Sequence, residues 1–419
     1  MLFVKQTARR CPACANATAE VLSTQRYLVP DELDVPDELD VVACARCGMG
    51  FADVATDQQL IDEAYRDHSK YVDHGQDDTV EPADVAGLST TDTEAQPPEP
   101  AWDLDRLQAT ARYLATTVEL EARVLDAGCA TGALLGYLKA EGFRDLVGLD
   151  PSPEATSLAR RVHGVRAIAG SFTAPPPDLG TFDLITLTHV FEHIADLETA
   201  IAKLHALLAE NGVAYVEVPD ARHYVDHVVA PFQDFNTEHI NHFSLPTLDL
   251  AMRRGGFEMV ESGEKVIGCS ATDTYPAIFG VWRKRAGGVP STEITRDESL
   301  VDGLRRYVDA SQAVMRRIDR ALAERLADES SVVVWGAGQL ALKLLRESTL
   351  ASAPLAAVVD GSAQKQGLHL GRWVVEDPSA VLDLPDAPIV ITSMLHDEAI
   401  VRTIRDGLGA RNPVIQLAR

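Results

Sequence analysis

The chain has 419 residues, 38 basic and 63 acidic side chains, and a formal net charge of -25. Such an excess of negative charge argues against nonspecific binding to nucleic acid or to an anionic membrane surface. The length exceeds one ordinary core, so two or three domains are expected, and a composition 46% hydrophobic and 24% charged is that of a globular protein. No secretory leader and no run of about 18 apolar residues is visible, which predicts a cytoplasmic protein without a membrane partner.

The first predicted unit spans residues 1–72. Cys11-Pro12-Ala13-Cys14 and Cys44-Ala45-Arg46-Cys47 form two C-x2-C knuckles. Each knuckle aims two thiolates from a tight turn, and two of them complete the tetrahedral sulfur shell that suits zinc. With Cys11, Cys14, Cys44 and Cys47 all used as ligands, no open coordination position is left, so the Zn2+ is expected to be structural. Between the knuckles, the acidic repeat Pro30–Asp34 and Pro36–Asp40 reads as a solvent-exposed excursion. An acidic linker is expected over 73–100.

The second unit, 101–290, opens on a helical stripe of Trp102, Leu104, Leu107, Ala111, Leu114 and Val118. A short apolar strand follows, ending in Asp126-Ala127-Gly128-Cys129-Ala130-Thr131-Gly132 and leading into a helix. Glycine lets backbone approach a ligand closely at such a turn, where the next helix presents free N–H groups. Asp126 would suit an ammonium and oppose a diphosphate. The next strand ends in Asp150, placed to accept from ribose hydroxyls. An adenosyl ligand carrying an amino acid accounts for both acids.

These residues, with the strand Phe182-Asp183-Leu184-Ile185, resemble the motifs of class I S-adenosylmethionine-dependent methyltransferases. The resemblance implies an α/β fold with a central seven-stranded Rossmann-like sheet and S-adenosyl-L-methionine as cofactor. It places Asp126, Gly128, Cys129 and Gly132 near the methionine part, Asp150 at the ribose and Ser171-Phe172 near the adenine. Thr188 and His189 fall at the end of the fourth strand, beside cofactor and substrate, where open α/β sheets bind ligands.

Two histidine clusters follow. His193 lies in His189-Val190-Phe191-Glu192-His193, and the second cluster runs from Phe235 to Ser244 with Glu238-His239 at its centre. A loop histidine with a near-neutral pKa suits proton transfer. His242 and Phe243 are alternatively packing residues, with Ser244 as N-cap of the next helix. The whole layout is similar to C-methyltransferases that act on nucleotide-linked deoxysugars. That likeness implies Glu238 and His239 as the acid/base pair for proton abstraction beside a ketone, with His193 stabilising the oxygen. Tyr65 and Tyr71 are implied as substrate contacts. The family pattern has tyrosine two positions before the glutamate; here Asn236 stands there as a substrate-binding residue. The alternatives are O- or N-methylation of a sugar or natural product, and an inactive zinc-bearing interaction protein.

The third unit, 291–419, is expected to be helical from Asp297 to Leu326 and then a second Rossmann-like α/β domain. Its turn Gly336-Ala337-Gly338 is able to cradle a phosphate. Lys365 and His369 are candidate phosphate contacts or solvated residues.

Overall fold

The computed structural model describes residues 4–32, 36–55, 57–67, 101–268, 273–285 and 293–417. The expected linker 73–100 and Tyr71 lie outside the described residues.

The amino-terminal strands β1 (Val4–Gln6), β2 (Thr18–Arg26), β3 (Glu38–Cys44) and β4 (Gly50–Ala52) form an antiparallel meander, followed by helix α1 (Gln58–Asp67). Between β2 and β3 the described residues Asp31, Glu32, Pro36 and Asp37 are exposed, as expected, and the segment also reaches a second domain. Its backbone docks on the carboxy-terminal domain, where Leu28 N donates to Leu342 O and Asp31 N to His369 O. Glu32 accepts from the His369 amide and ring.

Helix α2 (Ala101–Thr117) buries Leu107, Ala111 and Leu114 against the central domain. The order is then β5 (Arg123–Ala127), α3 (Ala133–Glu141), β6 (Asp145–Asp150), α4 (Pro153–His163), β7 (Arg166–Ala169), β8 (Phe182–Thr188), α5 (Leu197–Leu207) and β9 (Leu208–Pro219). Next come β10 (Asn241–His242), α6 (Leu245–Arg254), β11 (Phe257–Gly268) and β12 (Thr274–Lys284). The central sheet runs β11-β12-β9-β8-β5-β6-β7. β5 through β9 are mutually parallel, and β12 is antiparallel to both its neighbours. The chain leaves β5 first toward β6 and β7, then returns to place β8 on the other side. This reversal opens a crevice beyond the carboxyl ends of β5 and β8.

β10 does not join that sheet. It pairs antiparallel with β4, Asn241 opposite Phe51 and His242 opposite Gly50, and so completes the amino-terminal sheet. The cores are continuous as well: the four cysteines, Met49 and Phe51 belong to one buried cluster with Phe191, Phe243 and Trp282. A small segment with few apolar residues of its own is stabilised here by a shared core.

The carboxy-terminal part comprises α7 (Glu298–Leu326), β13 (Val332–Trp335), α8 (Gln339–Glu347), β14 (Leu355–Val359), β15 (His369–Leu370), β16 (Trp373–Glu376), β17 (Ile389–Ile391), α9 (Asp397–Arg402) and β18 (Val414–Gln416). Its sheet order is β15-β16-β14-β13-β17-β18, parallel apart from β15. Asp297 caps α7 through Leu300 N and binds Ser244 Oγ, while its own amide donates to Cys47 O. Gly48 has φ +82°, and a Cβ there would lie 2.7 Å from Asp297 O, so the second knuckle and the start of α7 require glycine. No helix among the described residues is long and apolar enough to cross a membrane.

Candidate active site and metal centre

The four knuckle thiols converge. Cys11 Sγ lies 3.5 Å from Cys47 Sγ, Cys14 Sγ lies 3.4 Å from Cys44 Sγ, and all four residues are buried. A tetrahedral metal with bonds of about 2.3 Å separates its sulfurs by about 3.8 Å. The set is thus close to metal-binding geometry, and four buried thiols at this spacing gain little from one another unless a cation unites them. Arg9, two residues ahead, extends from this module to the central domain. Its guanidinium donates to Asn241 Oδ1 (2.8 Å), Ala195 O (2.8 Å), Ile194 O (3.2 Å) and Ile240 O (3.3 Å).

At the crevice, Gly128 has φ +75°, and a Cβ would sit 2.5 Å from Val190 Cγ2. The glycine turn is therefore pressed against the segment that carries the first histidine cluster. Gly132 answers a different need: a Cβ would lie 2.7 Å from Ala159 Cβ, so this glycine lets α3 and α4 approach. Cys129 turns its thiol inward beneath Gly148, leaving only backbone on the turn. Phe172 is buried in the core, and Ser171 Oγ accepts from Thr173 N (3.2 Å) in a local turn. Of the cofactor-contact expectations, Gly132 thus serves the close approach of two helices, and the side chains of Cys129, Ser171 and Phe172 are engaged in packing or turn formation.

Asp126 is buried and accepts from Thr186 Oγ1 at 2.7 Å. Burial, with Asp150 nearby, pushes its pKa up to about 7. Asp150 is also raised by burial; one oxygen accepts from Ala130 N and the other from Ser152 N, both 2.9 Å. A carboxylate has about four lone-pair sites, so Asp150 retains acceptor capacity for ribose hydroxyls. A buried acid and a half-buried one at adjacent strand ends favour a cationic ligand, which a sulfonium amino acid is. The crevice fits S-adenosylmethionine on that count.

Beyond β8 the backbone turns at His189, φ +55°, whose amide donates to Glu217 O. The His189 ring is held between two buried carboxylates, with Nδ1 3.0 Å from Glu192 Oε1 and Nε2 3.5 Å from Glu217 Oε1. Burial alone would lower its pKa, but Glu192 and Glu217 raise it to about 9. Glu217 receives Arg106 Nη1 (2.9 Å), Lys265 Nζ (2.6 Å) and Tyr215 Oη (2.6 Å). Against burial, which raises its pKa, His189, Lys265 and Arg106 hold it well below the usual carboxylate range. His189 therefore serves as an internal cation beside half-buried Thr188.

His193, at the end of a short 3-10 turn, gathers the other expected residues. Its Nδ1 is 2.9 Å from Tyr65 Oη and 3.0 Å from the Glu238 carbonyl, and its ring meets that of His239 edge to face, centroids 4.8 Å apart. Ligand atoms of Glu192, His193 and His239 all lie within 4.8 Å of one another. The carboxylate facing both imidazoles is thus the buried Glu192, whereas Glu238 is exposed. Asn236 does not offer a free amide. Its Oδ1 accepts from Glu238 N (2.8 Å) and His239 N (2.6 Å), and its Nδ2 donates to Gln233 O. It forms the turn that presents His239. A cavity of about 260 Å³ borders this face, lined by Asn236, Glu238 and His239 and, across it, Tyr27, Gln339 and Lys343.

Sequence reasoning missed Glu192 as the shared acid, and missed Glu217, Arg106 and Lys265 altogether. The signal for Glu217 was an acid in the apolar run Val216-Glu217-Val218, a buried-strand pattern in which a charge requires partners. His242 is fully buried in β10 and held neutral, its pKa lowered by burial to about 3, so it is a packing residue. In the third unit, Asp360 accepts from Ala337 N (2.7 Å) and lies 3.3 Å from Lys365 Nζ. His369 is engaged by Glu32, which leaves neither as a free phosphate contact.

Comparison with known proteins bears on the central domain. A family described as a methyltransferase domain matches residues 102–262. The central unit carries a methyltransferase domain. "C-methyltransferase NovU" of Streptomyces niveus is 32% identical over 146 residues, 33% of each chain. "Demethylmenaquinone methyltransferase" of Thermus thermophilus is 36% identical over 97 residues, 22% of this chain and 44% of that one. The chain thus spans less than half the length of either of these relatives. Among solved structures, magnesium protoporphyrin IX methyltransferase (ChlM) from Synechocystis with bound SAH aligns at 13% identity and TM-score 0.39, over 55% of this chain and all of that one. A TehB-like SAM-dependent methyltransferase from Corynebacterium glutamicum aligns at 22% identity and TM-score 0.33, over 44% of this chain and 96% of that one.

Proposed function

We propose that this chain transfers a methyl group from S-adenosylmethionine to the carbon beside the ketone of a nucleotide-linked deoxysugar. The observation that carries this reading is the Tyr65–His193–His239 array over buried Glu192, bordering a cavity beside the methyltransferase domain's crevice. Paired imidazoles backed by a carboxylate are general acid/base machinery, which transfer to an already nucleophilic amine does not need. The partial similarity to a protein named as a C-methyltransferase agrees with it.

In this reading the protein works in the cytoplasm, the cysteine cluster holds one structural zinc ion, and Asp126, Gly128 and Asp150 hold the cofactor. The cofactor supplies an electrophilic sulfonium methyl. His239 accepts the proton from the carbon next to the carbonyl, leaving an enolate whose negative oxygen His193 and Tyr65 meet with hydrogen bonds. Bound there, S-adenosylmethionine would supply its methyl group to that carbon and would leave as the thioether. His239 then releases its proton to solvent. Asn236, which offers no phenol, favours one second reading: O-methylation, with His239 taking a hydroxyl proton.

Incubating the enzyme with a nucleotide-linked keto-deoxysugar in deuterated water, without methyl donor, separates the two. Exchange of the hydrogen next to the carbonyl is expected for the enolate route. Methyl transfer to a ketonic acceptor with no such exchange would sink it.

A further inference from the structure

The placement of one buried acid goes beyond this reading while resting on it. Glu192 is fully buried and sits at the meeting point of three imidazoles from two segments. Its backbone carbonyl accepts from Ile240 N at 2.9 Å, tying the 3-10 turn to the loop that carries His239. One side-chain oxygen, Oε1, is 3.0 Å from His189 Nδ1 and 3.9 Å from His193 Nε2. The other, Oε2, is buried with no hydrogen-bond partner. A buried carboxylate oxygen without a donor is costly, because its lost hydration is not replaced. Such an orphan is an acceptor for a donor that is present in only part of a reaction cycle.

We infer that Glu192, rather than Glu238, is the carboxylate that backs the general base: a positioning residue whose Oε2 accepts from the His193–His239 pair once that pair takes up the substrate proton. His189, held cationic by Glu217 and by Glu192 itself, keeps this carboxylate ionised. Charge is thus arranged in layers. Arg106 and Lys265 neutralise Glu217, Glu217 and Glu192 flank His189, and Glu192 faces the two reacting imidazoles. The other ionisable groups around Glu192 are Tyr65 from α1, through His193, and Tyr224, which is kept neutral by burial and the nearby acids. A carboxylate orienting a catalytic imidazole and stabilising its protonated form is the logic of the Ser-His-Asp triad, with proton abstraction from carbon in place of hydroxyl attack.

The test is Glu192→Gln, which keeps shape and removes charge, read in two ways. Histidine ring titrations by NMR on the full chain need no substrate. Loss of the carboxylate is expected to lower the titration midpoints of His193 and His239 by about one pH unit. Turnover is expected to fall about 100-fold or more in kcat with KM for the methyl donor within twofold. The acid limb of the pH–rate profile should shift to lower pH with the ring titrations, a change that a purely structural lesion does not produce. Glu192→Asp, which restores charge at shorter reach, should recover part of kcat. Unmoved His193 and His239 midpoints in a folded Glu192→Gln protein would overturn the assignment, even if wild type exchanges deuterium and methylates. So would metal analysis finding a second divalent ion per chain that Glu192→Gln abolishes, because the triplet would then be a ligand set. Midpoints that shift in Glu192→Gln, together with a wild type that shows no exchange with the keto-sugar, would instead overturn the enolate reading.

Discussion

Replacing Arg9 by alanine probes how the cysteine module supports the active-site loop. Arg9 donates to four acceptors, but their losses differ. Ile194 O retains Asn241 Nδ2, and Ile240 O retains Ala52 N. Ala195 is only partly buried, so water can replace the guanidinium there. Asn241 Oδ1 is the costly one, because the residue is buried and the bond is charge-assisted, worth about 1.5–3 kcal/mol. With a further contribution from Ala195, local destabilisation near about 3 kcal/mol is expected. The readout is hydrogen exchange of a peptide covering residues 236–243, which includes the Ile240 amide bound to Glu192 O. In the regime where exchange follows local opening, about 3 kcal/mol corresponds to roughly 150-fold faster exchange. Peptides from β17 should not change. Arg9→Lys, a point charge without the planar fork, should recover only part of the protection. Exchange within threefold of wild type in Arg9→Ala would refute the idea that this residue fastens the loop.

Three further outcomes are expected. Asp126 has its pKa raised to about 7, so the apo protein binds a proton there that the unfolded chain releases near pH 4; its contribution to stability is present at low pH and is lost as pH rises toward 7. A cationic cofactor needs the ionised form, so affinity for S-adenosylmethionine should rise about tenfold from pH 6 to pH 8, and calorimetry on Asp126→Asn should show a flat profile. Gly128→Ala should weaken cofactor binding about tenfold or more, since positive φ and the Val190 contact both oppose a side chain; unchanged binding would show that the turn can yield. Metal analysis should find one zinc per chain, and Cys44→Ser should abolish it, lower the melting temperature and accelerate exchange at 236–243 through the β4–β10 pairing.

Much of the fold was legible because local rules and tertiary structure agree. The apolar run Val124–Ala127 became a buried central strand, Ser244 became a cap, and Asp297 began the long helix as its position before an apolar-periodic segment predicts. The site was legible in type but not in pairing. Glu238 and His239 are neighbours in sequence, yet a turn sends consecutive side chains in different directions, and it is the Glu238 carbonyl that lies 3.0 Å from His193 Nδ1. Glu192 meets His239 from a segment 47 positions away, and Arg106 meets Glu217 across 111 positions. Those distances carry no local signature.

Asn236 shows how such a mismatch is to be read. As a departure from a tyrosine-bearing pattern, it raised doubt about the acceptor. In the structure its carbonyl oxygen takes the amides of both Glu238 and His239, so the residue shapes the turn from which His239 projects. A tyrosine could not make that pair of bonds, because its hydroxyl lies too far from its own backbone to close a two-residue turn. A phenol at hydrogen-bond distance from His193 is that of Tyr65, on a separate helix, which the resemblance also implied. Residue 236 therefore supplies the turn, and the contacts that join Tyr65, His193, His239 and Glu192 do not run through its side chain.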